Sequence, residues 1–255
     1  MTRFMLTIEY DGRPFVGLQA QDNGLSVQKV VEDAIFAFSH ERLRITASGR
    51  TDKGVHARGQ VIHFDLETKM TPYKILAAMN ALMRPYPVSV KECKVIPDDL
   101  SARFDATDRH YTYRIINRLA PLAIDLGLAW HVPHHLDELA MQDAAQVLIG
   151  YHDFTTFRAT QCQGKSPMKT LDRLDVERIG DEVHVHASSR SFLHHQVRSM
   201  VGSLKLVGEG KWTKADLKAS LEACDRNALG YNAPPDGLYF MRVDYPEAKL
   251  KTPAS

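Results

Sequence analysis

Residues 47–65 read ASGRTDKGVHARGQVIHFD. Apolar and polar residues alternate on either side of a charged loop, so residues 42–48 (RLRITAS) and 59–65 (GQVIHFD) are predicted as two strands. Gly49 and Gly54 bracket Arg50, Thr51, Asp52 and Lys53, and His56 and Arg58 follow closely. Glycine permits tight turns that other residues resist. Asp52 has two readings here. It is a turn residue that bonds its own backbone, or a carboxylate kept ionised by neighbouring cations and presented as a nucleophile. Local spacing leaves both open.

Working outward, residues 4–10 (FMLTIEY) set Phe4, Leu6, Ile8 and Tyr10 against Met5, Thr7 and Glu9, the pattern of a half-buried strand. Ser26 is placed to cap a helix carrying Val27, Val30, Val31, Ala34, Ile35 and Phe38 at helical spacing. Thr71-Pro72 opens a second helix with Ile75, Leu76, Met79 and Leu82 on one face. Residues 88–96 (VSVKECKVI) close the half as a strand. The order is β-α-β-β-α-β.

The remainder repeats it. Residues 110–117 (HYTYRIIN) form a strand with Tyr111, Tyr113 and Ile115 on one face. A helix is predicted from about Asp137 to a stop at Gly150, burying Leu139, Ala140, Val147 and Leu148. Residues 170–179 and 182–188 form a hairpin through Gly180-Asp181, and 191–210 a long helix. Thr213 and Asp216 mark a further helix start, and residues 237–245 end the half as a strand. The predicted class is α+β, with two ferredoxin-like β-α-β-β-α-β halves of antiparallel or mixed sheet. Joined side by side, such halves leave a central cleft, here the expected active site. The expected divisions are 1–105, carrying the Asp52 loop, 106–246, and a tail at 247–255.

The chain has 255 residues, 44% hydrophobic and 25% charged, an ordinary globular composition. No apolar run approaches the ~18 residues of a membrane span, and residues 1–12 carry no signal-peptide pattern. Cys93, Cys162 and Cys224 make no CxxC spacing, which points to a reducing, cytoplasmic setting. Net charge is +1, so a nucleic-acid partner requires a local basic surface. Arg103, Arg109, Arg114 and Arg118 form one such cluster along the chain, and Arg190, Arg198 and Lys205 another. Charge alone leaves each as a phosphate-binding surface or a solvated face.

Within 191–210, His194, Arg198 and Gly202 fall at i, i+4 and i+8, off the apolar face. Arg198 there either faces a cleft and pairs with a carboxylate or snorkels at the surface. Tyr111, between Arg109 and Arg114, is either a platform for a base or sheet packing. His131, His134, His135, His184 and His186 show neither HExxH nor triad spacing, so no metal site is expected. P-loop, GxGxxG and GxSxG motifs are absent from the sequence.

SGRTDKGVHARGQVIHFD closely resembles the catalytic loop of the tRNA pseudouridine synthase A family. The resemblance extends through IEYDGRPFVGLQAQ, VQKVVEDAI, SARFDATDRHYTYRI, DFTTFRATQC, SFLHHQVRSMVGSL and GLYFMRVDYP, from about residue 4 to 246. It implies an isomerase that converts uridine to pseudouridine at positions 38, 39 and 40 in the anticodon arm of tRNA. It implies Asp52 as nucleophile, Arg50 as an arginine that opens the site for a flipped base, and Tyr111 as the ring packing on the uracil. Arg198 is implied as the partner of the catalytic carboxylate. Members are homodimers and use no metal or organic cofactor. Two positions depart from the family pattern. Leu18 stands where Trp is common, which touches local packing. Lys53 stands where Ala is common, as either a phosphate contact or a solvated cation. A non-catalytic RNA-binding module of the same fold is the alternative, and it leaves the carboxylate without a purpose.

Overall fold

A computed structural model describes residues 1–162, 164 and 166–250. The chain forms two compact units, residues 1–109 with the segment from Phe240 onward, and His110–Tyr239. Sequence-based division assigned the last strand wholly to the second half. Compactness instead groups its residues from Phe240 with the first unit, because β3 lies beside them.

The first unit runs β1 (Thr2–Tyr10), α1 (Val27–Ser39), β2 (Thr46–Ala47), β3 (His56–Leu66), α2 (Pro72–Leu82) and β4 (Val88–Ile96). This is the predicted β-α-β-β-α-β order. Strand β1 lies between β4 and β3, antiparallel to both, and β2 pairs antiparallel with β3. Ser26 and Thr71 cap α1 and α2 by accepting from Lys29 and Lys74 N–H, and Pro72 occupies the first helical turn, where its missing donor costs nothing. Helix α2 is tied to β4 by Asn80, whose amide donates to Val90 O at 2.9 Å and accepts from Val90 N–H at 2.7 Å. Phe4, Leu6, Ile8, Ile35, Ile62, Phe64, Ile75 and Met79 are buried in the core.

Alternation on β1 predicted one wet face, but Met5 is buried there. Val61, Ile96, Leu100 and Ala102 cover it, with Val243, Tyr245 and Leu250 packed alongside. Part of the expected tail is therefore structured, as α6 (Glu247–Leu250), and Tyr245 donates to Ala102 O at 2.7 Å. Residues 251–255 of that tail lie outside the described residues. The predicted strand over 42–48 shortens to β2, since only Thr46 and Ala47 reach the edge of β3.

The second unit holds β5 (Asp108–Ile116, entering from the first unit), β6 (Trp130–His131), α3 (Glu138–Ala145), β7 (Gly150–Asp153), β8 (Met168–Leu171), β9 (Arg173–Ile179), β10 (Glu182–Ser189), α4 (Gln196–Gly208) and α5 (Lys214–Glu222). Strand β10 lies between β5 and β9, while β6 pairs parallel with β5, so this sheet is mixed. The last strand, β11 (Leu238–Asp244), leads back to the first unit. The fold is mixed α+β.

Two predictions in this unit are corrected. Leu139 is 75% exposed, because Asp137 caps α3 in a register that turns Met141, Ala144 and Ala145 inward. Helix α4 starts at Gln196 rather than near 191. His195 takes a left-handed conformation (φ 67°) that a helix cannot continue through, so His194 is not on the helical stripe with Arg198.

Candidate active site

Asp52 lies in the loop joining β2 to β3, in the first unit, and the backbone of that loop is tied down at its start, middle and end. At its start the Ser48 hydroxyl donates to Gln60 Oε1 at 2.6 Å and Gln60 Nε2 donates to Gly49 O at 3.1 Å. The Arg109 guanidinium donates twice to Ser48 O, at 3.1 and 2.7 Å. At its end Gly12 N–H donates to His56 Nδ1 at 3.1 Å. That bond makes Nδ1 an acceptor, so its 3.3 Å approach to Asp11 is not an ion pair in this tautomer.

The middle of the loop rests on residues 17 and 18. Leu18 N–H donates to Thr51 O at 3.1 Å, and Gly17 O and Leu18 O accept from Val27 and Gln28 N–H in the first turn of α1. Those helix donors have no partner within the helix, so the support also satisfies them. Gly17 has φ +125°, and a Cβ there would stand 2.7 Å from Thr51 O and 3.3 Å from the Asp52 carbonyl carbon. Only glycine fits. Tyr10 and Thr51 share a buried hydroxyl contact of 2.7 Å, and burial pushes the Tyr10 phenol up to about 12, so it stays protonated. Val55 N–H donates to Asp52 O at 3.1 Å, closing the turn. Asp52 is half-buried, while Arg50 and Lys53 are exposed. The backbone that carries the Asp52 carboxylate is thus fixed by the fold itself.

Tyr111 and Arg198 belong to the second unit. Tyr111 and Tyr113 share one face of β5. Tyr113 is fully buried, donates to Pro234 O at 2.7 Å and meets Trp130 edge-on, so it is sheet packing. Tyr111 is half-buried, its ring edge-on to Phe192 at 5.2 Å. Arg198, on α4, donates from Nε to Ala233 O at 2.8 Å, and Ala233 N–H donates to Arg198 O at 3.0 Å. One turn on, Gly202 lets Tyr231 O approach to 2.3 Å from where a Cβ would sit. The Arg198 stripe therefore packs on residues 231–233, which sequence spacing did not reveal.

Much of the expected basic surface is committed internally. Arg114 forms a two-bond pair with Glu182 at 3.0 and 2.8 Å and approaches Asp125 at 3.3 Å. Arg118 pairs with Asp181 at 2.8 Å, and Lys205 with Glu209 at 2.6 Å. Arg109 is a strut of the Asp52 loop, a role its place in a basic run did not signal.

A sequence profile described as tRNA pseudouridine synthase matches residues 6–105 and 144–246. The chain belongs to the tRNA pseudouridine synthase family. The tRNA pseudouridine synthase A of Erythrobacter litoralis (strain HTCC2594) is 57% identical over 96% of this chain and 100% of its own. That of Rhizorhabdus wittichii is 56% identical over 96% and 97%, and that of Rhodospirillum rubrum 52% identical over 96% and 88%. Among solved structures, a Cbf5-Nop10-Gar1 complex aligns over 93% of this chain and 48% of its own at 12% identity and TM-score 0.38, too loosely to carry an argument. Arg50, Asp52 and Arg198 fall within the matched tRNA pseudouridine synthase residues, and Tyr111 lies in the stretch between them. Leu18, the departure from the common Trp, is buried, and it holds the loop through its backbone N–H, which any residue except proline supplies. No helix among the described residues is long and apolar enough to cross a membrane.

Proposed function

We propose that this member of the tRNA pseudouridine synthase family isomerises uridine to pseudouridine at positions 38, 39 and 40 of the tRNA anticodon stem-loop, with Asp52 as nucleophile. The observation that carries the reading is the Asp52 loop itself, a charged turn fixed by Gly17, Leu18, Gln60, His56 and Arg109 within a chain of that family. A turn aspartate that served only the turn needs no such second layer.

The reaction breaks the bond from C1′ to N1, turns the uracil, joins C5 to C1′ and moves the C5 proton away while N1 gains one. The formula of the RNA is unchanged. The target leaves its stack, which costs a few kcal/mol and calls for groups to fill the gap and receive the base. Arg50, exposed beside Asp52, takes the first role. Tyr111, half-buried on β5, takes the second as a stacking platform. Arg198 supplies positive charge to the catalytic carboxylate. The order β4-β1-β3-β2 supports reading the first unit as a ferredoxin-like half, and the order β5-β10-β9, with β9 and β10 antiparallel, supports the same for the second. A homodimer acting in the cytoplasm, with no cofactor, completes the reading.

Tritium release from tRNA labelled at uracil C5 tests it. The wild-type protein releases the label and Asp52→Asn lowers release by at least about a thousandfold, as loss of a nucleophile does. Undiminished release by Asp52→Asn overturns the assignment.

A further inference from the structure

Strands β9 and β10 place three metal-binding side chains together, none of them among the residues assigned above. Glu177 stands opposite His184 in the antiparallel register, and His186 follows two residues later. Residues two apart on a strand share a face, and directly opposed residues have Cβ atoms about 4.5–5.5 Å apart. The three side chains therefore converge through register. One ligand-capable atom from each lies within 4.8 Å of the others. The two rings are 5.9 Å apart between centroids.

The surroundings orient both rings. His184 Nε2 lies 2.7 Å from Glu182 Oε2, and Glu182 is itself held by the two bonds from Arg114. A carboxylate on one ring nitrogen fixes the proton there and leaves the lone pair on the other, Nδ1. His186 Nδ1 lies 3.0 Å from the Thr112 hydroxyl, and its Nε2 lies 2.9 Å from Glu177 Oε1. Without a metal the Glu177 carboxylate, which only accepts, holds the His186 proton on Nε2, and the Thr112 hydroxyl, which donates or accepts, lets that proton move to Nδ1 when a cation takes the Nε2 lone pair. Two imidazoles and one carboxylate, each ring with an outer hydrogen-bond partner, are the donor set of a borderline divalent cation.

We propose that Glu177, His184 and His186 form a binding site for a divalent transition-metal ion of the zinc class, with water in the fourth position. Tetrahedral ligands around zinc sit about 3.3 Å from one another. From within 4.8 Å the ligand atoms close to that spacing by a rotamer change of Glu177, whose side chain is 55% exposed, and by small rotations of the two imidazole rings. The ion would clamp the β9–β10 hairpin and replace the bond between Glu177 and His186. Histidine spacing gave no sign of the site, because its third ligand comes from the neighbouring strand.

Calorimetric titration of the full-length, EDTA-treated protein with Zn2+, and optical titration with Co2+, test the site. The expected result is saturation at one equivalent, a tetrahedral Co2+ spectrum without sulfur charge-transfer bands, and a rise in Tm on adding Zn2+. His184→Ala and His186→Ala each weaken Zn2+ binding at least tenfold, whereas His135→Ala does not. Should a histidine variant not fold, Glu177→Gln, altered at an exposed position, is expected to weaken binding at least threefold and to abolish the rise in Tm. Absence of saturable binding to the wild-type protein, or wild-type affinity in these variants, overturns the proposal.

Discussion

The backbone N–H of Leu18 donates to Thr51 O at 3.1 Å, one residue before Asp52. Through this bond the loop before α1 sets the height of the loop that carries the carboxylate. Gly17 allows the approach, and Gly17→Ala pushes a methyl into Thr51 O while forcing an unfavourable φ. The expected cost is about 1–3 kcal/mol of stability. Urea unfolding measures it, and tritium release falls by more than the loss of folded protein explains. Wild-type stability and activity in this variant would show that the loop yields freely.

Two substitutions of Tyr111 test the stacking platform. Tyr111→Phe keeps the ring and its edge contact with Phe192, so the KM for tRNA stays within about twofold. Tyr111→Ala removes the platform and costs about 1–3 kcal/mol of transition-state binding, read as a drop in kcat/KM of roughly tenfold to a hundredfold. Equal kcat/KM values for the two variants would argue against the ring as a platform.

Arg198→Ala is expected to fold, since the backbone bond from Ala233 N–H to Arg198 O survives. Ala233 O loses a charged donor, at a cost of about 1–3 kcal/mol. Activity should fall far more, by about a hundredfold or beyond, and Arg198→Lys should restore only part because a single ammonium does not reproduce the fork. Turnover at the wild-type rate in Arg198→Ala would remove the ion-pair role.

Glu182 gives a pH signature. Hydrogen bonds from Arg114, which outweigh the effect of burial and are joined by His184, lower its carboxyl from 4.5 to about 2. The folded state holds the proton less tightly than the unfolded chain, so this stabilisation is full above pH 4.5 and is lost as pH falls toward 2. In metal-free protein, Glu182→Gln is expected to lose about 1–2 kcal/mol at pH 7. Urea unfolding at a series of pH values should show that gap closing across this acidic window. A gap independent of pH would assign the loss to packing.

Local patterns were legible wherever a single element supplied both the signal and its consequence. Ser26, Thr71 and Thr213 cap helices because a cap and its helix are adjacent in the chain. Asp52 stood out because its loop carried more charge than a turn requires. Leu139 and the start of α4 were misjudged because periodicity does not fix register. Asp137 as cap turned Leu139 outward, and the left-handed His195 cut the helix short.

Sequence alone determined the β-α-β-β-α-β order of the first unit, since strand alternation, caps and glycines act over a few residues, whereas Asp52 stayed open between turn residue and nucleophile until the family resemblance was added. Tertiary structure decided which cations are spent on the fold: Arg109 on Ser48 O, Arg114 on Glu182, Arg118 on Asp181. It also decided that Gly17 and Leu18 carry the loop and that Glu177 meets His184 and His186. These contacts join residues far apart in the chain, and distance through space is the one quantity that spacing along the chain does not encode.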